Sequence, residues 1–266
     1  MRLAPMGIGG AIVVLILSLL FGRDLGTGPS NQQQTQEQTQ GGEVAPIQQT
    51  PQEAREAALV SFVLDTAQAT WAQILPSAFG VPYRDAKLVL YRQATPTACG
   101  VGQAGMGPFY CPLDQKIYID LSFYDDLSTK FGAPGEFAEA YVLTHELGHH
   151  VQHLLGTDEQ VRRAQQANPA LANALSVALE LQADCYSGIW AHYTQGQQIL
   201  EPGDIEQGLA AASAVGDDRL QRATTGHVDQ DSFTHGSSAQ RASWFRRGFE
   251  SGNPKDCDTF ASASGR

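Results

Sequence analysis

Four histidines lie close together in the stretch AYVLTHELGHHVQHLLG, residues 140–156: His145, His149, His150 and His153. The residues His145, Glu146 and His149 form the pattern H-E-x-x-H. On a helix, residues four apart are offset by about 40°, so both imidazoles can reach one metal ion. Glu146 is offset from His145 by about 100° and would lie beside the ion, where it can act on water. The pattern therefore indicates a Zn2+ site that activates water.

A rival pair, His149 and His153, has the same spacing, but His150 stands where a carboxylate would be needed. A zinc hydrolase would gain no base from that pair. The longer pattern H-E-x-x-H-x-x-G-x-x-H is not met either, because Gln152 and Leu155 occupy its Gly and His positions. A third ligand must therefore come from another part of the chain.

The segment LELQADCYSGIW, residues 179–190, offers two carboxylates for this purpose. A hydrolytic zinc site has three protein ligands and one open position. Glu180 and Asp184 are four apart, on one face of an otherwise apolar helix. One can bind the metal while the other accepts a hydrogen bond from the second ring nitrogen of a ligand histidine. The alternative is that both lie on a solvated helix face.

The elements that must position these residues are several helices and a few strands. Apolar periodicity and glycine or proline boundaries predict helices over residues 53–75, 135–156, 170–194 and 201–221. In the first of them the near-helical spacing picks out Leu59, Phe62, Val63, Thr66, Ala69 and Ile74. The runs KLVLY (87–91) and KIYIDLSF (116–123) are predicted strands, and the edge of the second could hold an extended peptide. This order of elements predicts an α+β domain with a small sheet.

The N-terminal region differs in composition from the rest. Residues 4–22 are uncharged and apolar, with Arg2 before them and Arg23 after them, and roughly 20 helical residues span a bilayer. We predict an uncleaved transmembrane anchor; a cleaved signal peptide and a buried helix are the alternatives. The Gln-rich segment that follows has too few apolar residues to fold. The predicted division is a membrane anchor (1–26), a disordered linker (27–52) and a folded domain (53–266).

Charge and cysteine content narrow the class further. The net charge of -11, the pI near 5.0 and the lack of a basic run argue against nucleic-acid binding. The four cysteines include no CxxC pair, and Cys99 and Cys111 flank a Gly-rich loop whose length suits a disulfide. An even number of cysteines after an anchor favours an oxidising compartment. The alternative is four reduced cysteines in a cytosolic enzyme.

Several blocks of the chain together carry a family resemblance. The blocks are THELGHHVQ, ELQADCYSG, GDDRLQ, SFTHGSSAQR, CGVGQAGMGPFYCPLDQKIYIDLSF and CDTF. They strongly resemble the bacterial neutral zinc metallopeptidases with one membrane anchor, over residues from about 85 to 260. The resemblance implies a zincin-like fold, in which His145, His149 and Glu180 bind Zn2+. It also implies Glu146 as the general base on zinc-bound water, which leaves Asp184 as the hydrogen-bond partner behind a ligand.

The resemblance, the even cysteine count and the anchor together predict which cysteines pair. We expect one disulfide between Cys99 and Cys111. The other is expected between Cys185 and Cys257, tying the third-ligand helix to the C-terminal segment.

Two further blocks carry polar residues whose role has more than one interpretation. His235, in DSFTHGSSAQR, could stabilise the oxyanion of a tetrahedral intermediate, or it could be a hydrogen-bonded structural histidine. The triplet Asp217-Asp218-Arg219 is predicted to form a cap or ion-pair network; a second metal site is the alternative.

These observations predict a zinc-dependent peptidase that hydrolyses peptide bonds in the bacterial cell envelope. It would be anchored in the cell membrane by a single N-terminal helix, with its catalytic domain on the extracytoplasmic (periplasmic) side. Its partners would be peptide or protein substrates and the membrane, and no nucleic acid. The alternative is a non-catalytic, zinc-stabilised envelope binding module, against which the intact Glu146 speaks.

Overall fold

A computed structural model of the chain describes residues 50–263. The predicted anchor and most of the predicted linker lie outside the described residues. Within residues 50–263, no helix is both long and apolar enough to cross a membrane.

The described part of the chain is a helix-rich α+β fold, in agreement with the predicted class. Its helices are α1 (Pro51–Phe79), α2 (Phe123–Thr129), α3 (Glu136–Leu155), α4 (Thr157–Ala167), α5 (Ala172–Gly196), α6 (Asp204–Ala214), α7 (Asp217–Thr225), α8 (Ser238–Ser251) and α9 (Phe260–Ala263). Its strands are β1 (Lys87–Tyr91), β2 (Ala94–Thr97), β3 (Gly100–Gln103), β4 (Phe109–Cys111) and β5 (Lys116–Asp120).

The strands form two small sheets. In the larger one β5 is central, parallel to β1 and antiparallel to β4, while β2 and β3 make a separate hairpin. The expectation that a peptide could add along residues 116–123 is wrong for most of β5, because β1 pairs with all five of its residues and β4 pairs with Lys116–Tyr118 on the other side. The edge that lies beside the cavity described below belongs to β4, a strand that the sequence analysis treated as loop.

Helix α1 has the predicted type, but only part of the predicted apolar face is confirmed: Val63 and Ile74 are buried, and Leu59 and Thr66 are half-buried. Phe62 is 50% exposed and Ala69 is also exposed. The buried stripe of α1 is Val60, Val63, Leu64, Ala67, Trp71, Ile74 and Leu75. Trp71 sets this phase, since its ring packs edge-on against Tyr186 of α5 with centroids 5.0 Å apart.

Helices α3 and α5 cross in close contact, and this crossing positions the candidate site. Helix α3 runs between Gly135 and Gly156 as predicted. A Cβ atom on Gly148 would lie 3.0 Å from the backbone of Ala183, so any other residue at this point would require the two helices to shift by a few tenths of an ångström. On its other side α5 packs even more closely on α8, where a Cβ on Gly248 would lie 2.0 Å from the carbonyl oxygen of Cys185.

The helix predicted over residues 201–221 is in fact two helices, α6 and α7, separated at Val215 and Gly216. A Cβ atom on Gly216 would lie 2.3 Å from the backbone nitrogen of Ser238, so the start of α8 approaches here. The break places Asp217 in the first turn of α7, from which its carboxylate reaches the loop that carries His235.

Both predicted disulfides are confirmed. Cys99 pairs with Cys111 and Cys185 pairs with Cys257, with Cα atoms 5.9 Å and 5.7 Å apart respectively. The first joins the turn of the β2–β3 hairpin to the end of β4. The second links α5 to the C-terminal segment, one residue after Asp184.

Glu139, near the start of α3, is surrounded by other carboxylates. Its Oε2 atom is buried without a hydrogen-bond partner. Burial, together with the charges of Glu56, Glu136 and Asp125, raises the pKa of Glu139 from 4.5 to about 7. The folded protein holds this proton more tightly than the unfolded chain does. Ionisation of Glu139 therefore costs no stability below about pH 4.5, and the loss of stability is complete above about pH 7.

Replacing Glu139 with glutamine removes the charge and keeps the shape. We expect Glu139→Gln to raise the free energy of unfolding by roughly 1–2 kcal/mol at about pH 8, allowing for solvent screening, and by much less at about pH 5. Urea unfolding at the two pH values measures the difference. Glu250→Gln, at an exposed position on α8, is the control. A gain of equal size at both pH values would contradict this account of Glu139.

Candidate metal centre

Three side chains from α3 and α5 converge on one point. The ligand atoms of His145, His149 and Glu180 all lie within 4.8 Å of one another, and no other such group of acidic, histidine or cysteine residues occurs in residues 50–263. The Nε2 atom of His145 is 3.1 Å from Oε2 of Glu180, and Nε2 of His149 is 3.5 Å from Oε1 of the same carboxylate. The close α3–α5 crossing makes this possible, because Gly148 and Ala183 each lie within the spans that carry these residues.

A buried ion pair stands behind His145. The Nδ1–H of His145 donates to Oδ1 of Asp184 over 2.8 Å, which leaves Nε2 pointing towards Glu180. Arg241 of α8 donates to both oxygens of Asp184, over 2.9 and 3.0 Å, and the hydroxyl of Tyr141 donates to Oδ1. Asp184 is therefore positioned behind the ligand group, and Glu180 is the carboxylate that reaches both histidines.

A glutamine plays the matching part behind His149. The Nδ1–H of His149 donates to Oε1 of Gln152 over 2.8 Å, so Nε2 of this ring also faces Glu180. Gln152 is completely buried, and its amide nitrogen donates to the carbonyl of Leu179 and to Oε1 of Gln182. Both histidines are thus fixed in the tautomer that leaves Nε2 available to a metal.

The other two histidines of α3 face away from this point. The Nε2–H of His150 donates to the carbonyl oxygen of Arg84, and its Nδ1 accepts from the hydroxyl of Tyr110 over 2.9 Å. His153 pairs with Asp158, with Nδ1 2.7 Å from Oδ2.

The converging residues line a cavity of about 440 Å³. Glu146 also lines it and is 8% exposed. Among the described residues, no group hydrogen-bonds to the Glu146 carboxylate, in contrast to every other acidic side chain around the site. Its oxygens are therefore available to water or a substrate.

His235 lines the same cavity from the loop before α8. Its Nδ1 lies 3.1 Å from Oδ1 of Asp217, whose other oxygen accepts the backbone N–H groups of Thr234, His235 and Gly236. Burial lowers the pKa of His235, but the hydrogen bond to Asp217 and the charge of Glu180 outweigh it and raise the pKa overall. Asp217 and Asp218 are structural: Asp218 caps α8 by accepting from the N–H and hydroxyl of Ser238.

Comparison with known proteins identifies the family. The family described as "Putative neutral zinc metallopeptidase" matches residues 2–260. The chain belongs to this zinc metallopeptidase family. It is 50% identical, over 96% of its length and 88% of the relative, to the uncharacterised protein YpfJ of Escherichia coli (strain K12). An uncharacterised protein of Mycobacterium tuberculosis (strain H37Rv) is 44% identical over 75% of the chain and 69% of its own length. No solved structure matches the chain.

The donor set fits the zinc of a neutral zinc metallopeptidase. Two nitrogens and an oxygen about 2.1 Å from a tetrahedral ion would lie about 3.4 Å apart, close to the 3.1 and 3.5 Å measured here. The surroundings also favour positive charge. Burial lowers the pKa of His145, but the charge of Asp184 and the hydrogen bonds to Asp184 and Glu180 outweigh it and raise the pKa to about 9. The negative charges that favour a protonated His145 would also favour a divalent cation at this point.

Several residues of the candidate metal centre were not found from the sequence. Gln152 entered the sequence analysis only as a mismatch to a longer motif, and Arg241 and Tyr141 carried no signal of their own. A signal for Gln152 exists, because a polar residue three positions after His149 lies on the same helix face. Nothing local points to Arg241, since it reaches Asp184 from a helix 57 residues further along the chain.

The hydrogen bond from His149 to Gln152 generates a prediction about metal affinity. Gln152→Met keeps the side-chain volume but removes the acceptor that orients the His149 ring. We expect zinc affinity to fall by about 10–100-fold, as is usual when such a partner is lost. Competition with a zinc chelator of known affinity measures the change. Gln160→Met, at an exposed position on α4, is the control and should bind zinc as the wild type does. Equal affinities for all three proteins would contradict the role of Gln152.

Proposed function

We propose that this protein is a zinc-dependent peptidase of the zincin-like type, with His145, His149 and Glu180 as the zinc ligands and Glu146 as the general base. The observation that carries the proposal is the Glu146 carboxylate, which lies in the cavity beside the converging ligands without a partner in the described protein. A zinc ion that only stabilised the fold would not require an unpaired carboxylate beside it.

The chain's own residues account for the proton transfers of peptide hydrolysis. Zinc, when bound, supplies Lewis acidity that brings the pKa of water towards about 7 and polarises a carbonyl. Glu146 takes a proton from the attacking water and then passes it to the amide nitrogen as the C–N bond breaks. His235, held by Asp217 through Nδ1, offers its other ring nitrogen to the carbonyl oxygen as negative charge develops there.

We further propose that the domain acts on the extracytoplasmic side of the cell membrane, attached through an N-terminal anchor and linker. The apolar residues 4–22 support the anchor. The pairing of all four cysteines as two disulfides supports an oxidising compartment. Its substrates are then peptides or proteins of the cell envelope.

The role of Glu146 separates an enzyme from a binding module. Glu146→Gln keeps the shape of the side chain and every zinc ligand, so we expect unchanged zinc content and melting temperature. Peptidase activity should fall by about 10²–10⁴-fold, because the general base is lost. His149→Ala should lose zinc and activity together, whereas the matched control His153→Ala, one turn further along α3, should keep both.

Elemental analysis and cleavage of a quenched peptide library test these variants. In cells, peptides released into the envelope fraction are compared between the wild type and Glu146→Gln. A wild-type protein that holds zinc, cleaves no peptide and leaves the same envelope peptides as Glu146→Gln would favour the non-catalytic binding module instead.

The proposed part of His235 is tested by kinetics. We expect His235→Ala to lower kcat by about 10²–10³-fold with little change in KM, because the interaction forms only as charge develops on the oxygen. Zinc content should not change, since His235 is not a ligand. His227→Ala, at an exposed position before the same loop, is the control. A kcat equal to that of the control would show that His235 has only a structural role.

A further inference from the structure

The cavity is a groove that follows one face of α3. Its lining takes six residues of this helix, which share one face at helical spacing: Tyr141, Val142, His145, Glu146, His149 and Gln152. Eleven residue steps of helix separate the first from the last, so the groove is roughly 16 Å long. An extended peptide of about four residues covers that distance. The groove therefore has room for side chains on each side of the bond to be cut.

The end of the groove near Val142 is apolar, one helical turn before His145. Phe123 and Phe131 line it with ring centroids 6.4 Å apart, and both are half-buried. The guanidinium of Arg219 donates to the carbonyl oxygen of Phe131 over 3.1 Å. This bond holds the start of α7 against Phe131, and the next residue, Leu220, completes the lining.

Away from the candidate metal centre and Glu146, the charged groups that share this lining are already occupied within the protein. Asp217 is 2% exposed and holds the His235 loop, while Arg241 is 3% exposed and holds Asp184. The half-buried surface left to a ligand is made of aromatic and aliphatic carbon. Burying a large apolar side chain against such a concave apolar surface is favourable. A charged side chain would lose its hydration there without gaining a partner.

We propose that Phe123, Phe131, Val142 and Leu220 form a pocket, the apolar pocket, that selects substrates with a large apolar side chain (Leu, Phe or Met) next to the bond that is cut. The inference rests on the proposed peptidase function and adds a substrate class to it. Burial of such a side chain corresponds to a preference of about 10–100-fold in kcat/KM over alanine or a charged residue.

The experiment uses the zinc-loaded protein and a quenched peptide library in which each residue around the cleaved bond is varied. The wild type should prefer Leu, Phe and Met at one adjacent position. Leu220→Arg should move that preference to Asp and Glu, and Leu220→Trp, which narrows the pocket, should move it to Ala and Gly. Leu171→Arg is the matched control, because Leu171 is 39% exposed and does not line the cavity.

The outcomes separate this inference from the function on which it rests. Cleavage without an apolar preference, or with the same preference in wild type and both Leu220 variants, overturns the apolar pocket and leaves the peptidase intact. If the zinc-loaded wild type cleaves no peptide at all, both the proposed function and the apolar pocket are wrong. Zinc content and melting temperature identify any variant that has failed to fold. Because the two substitutions shift the preference in different directions, either folded variant suffices for the test.

Discussion

The close crossing of α3 and α5 is the constraint on which the site depends. At Gly148 and Ala183 the two helices touch through backbone and a single methyl group, so nothing separates the faces that carry the ligands. A side chain at Gly148 would require a shift of a few tenths of an ångström, which is comparable to the tolerance of a metal site, in which ligand distances vary by about 0.2 Å. The glycine inside the H-E-x-x-H motif is thus a packing requirement as well as a helix residue.

Polar groups behind the candidate ligands fix the orientation of the His145 and His149 rings. Asp184 and Gln152 each accept the Nδ1–H of one histidine, and both are completely buried. Their own partners lie on other parts of the chain: Arg241 belongs to α8, and Gln182 donates to the carbonyl oxygen of Cys257 at the second disulfide. The orientation of the candidate metal-binding atoms therefore depends on segments that contribute no candidate ligand.

The other residues that line the cavity have two different roles. Glu146 and His235 present polar atoms at the centre, and Asp217, which holds His235, is buried. The apolar carbon near Val142 is the part that a substrate would cover. Glu139, one helical turn before Leu143 on α3, contributes to neither task; burial and neighbouring carboxylates raise its pKa to about 7, which makes the stability of the fold sensitive to pH near neutrality.

The sequence alone determined the features that repeat at short range. The H-E-x-x-H pair, the Glu180–Asp184 spacing, the limits of α3 and the α+β class follow from helical periodicity and glycine boundaries, which act over a few residues. Tertiary structure decided the rest. The phase of α1 depends on Trp71 meeting Tyr186, the break before α7 depends on the approach of Ser238, and Arg241 becomes part of the site only because α8 packs on α5. Such contacts join residues far apart in the chain, and local spacing carries no information about them.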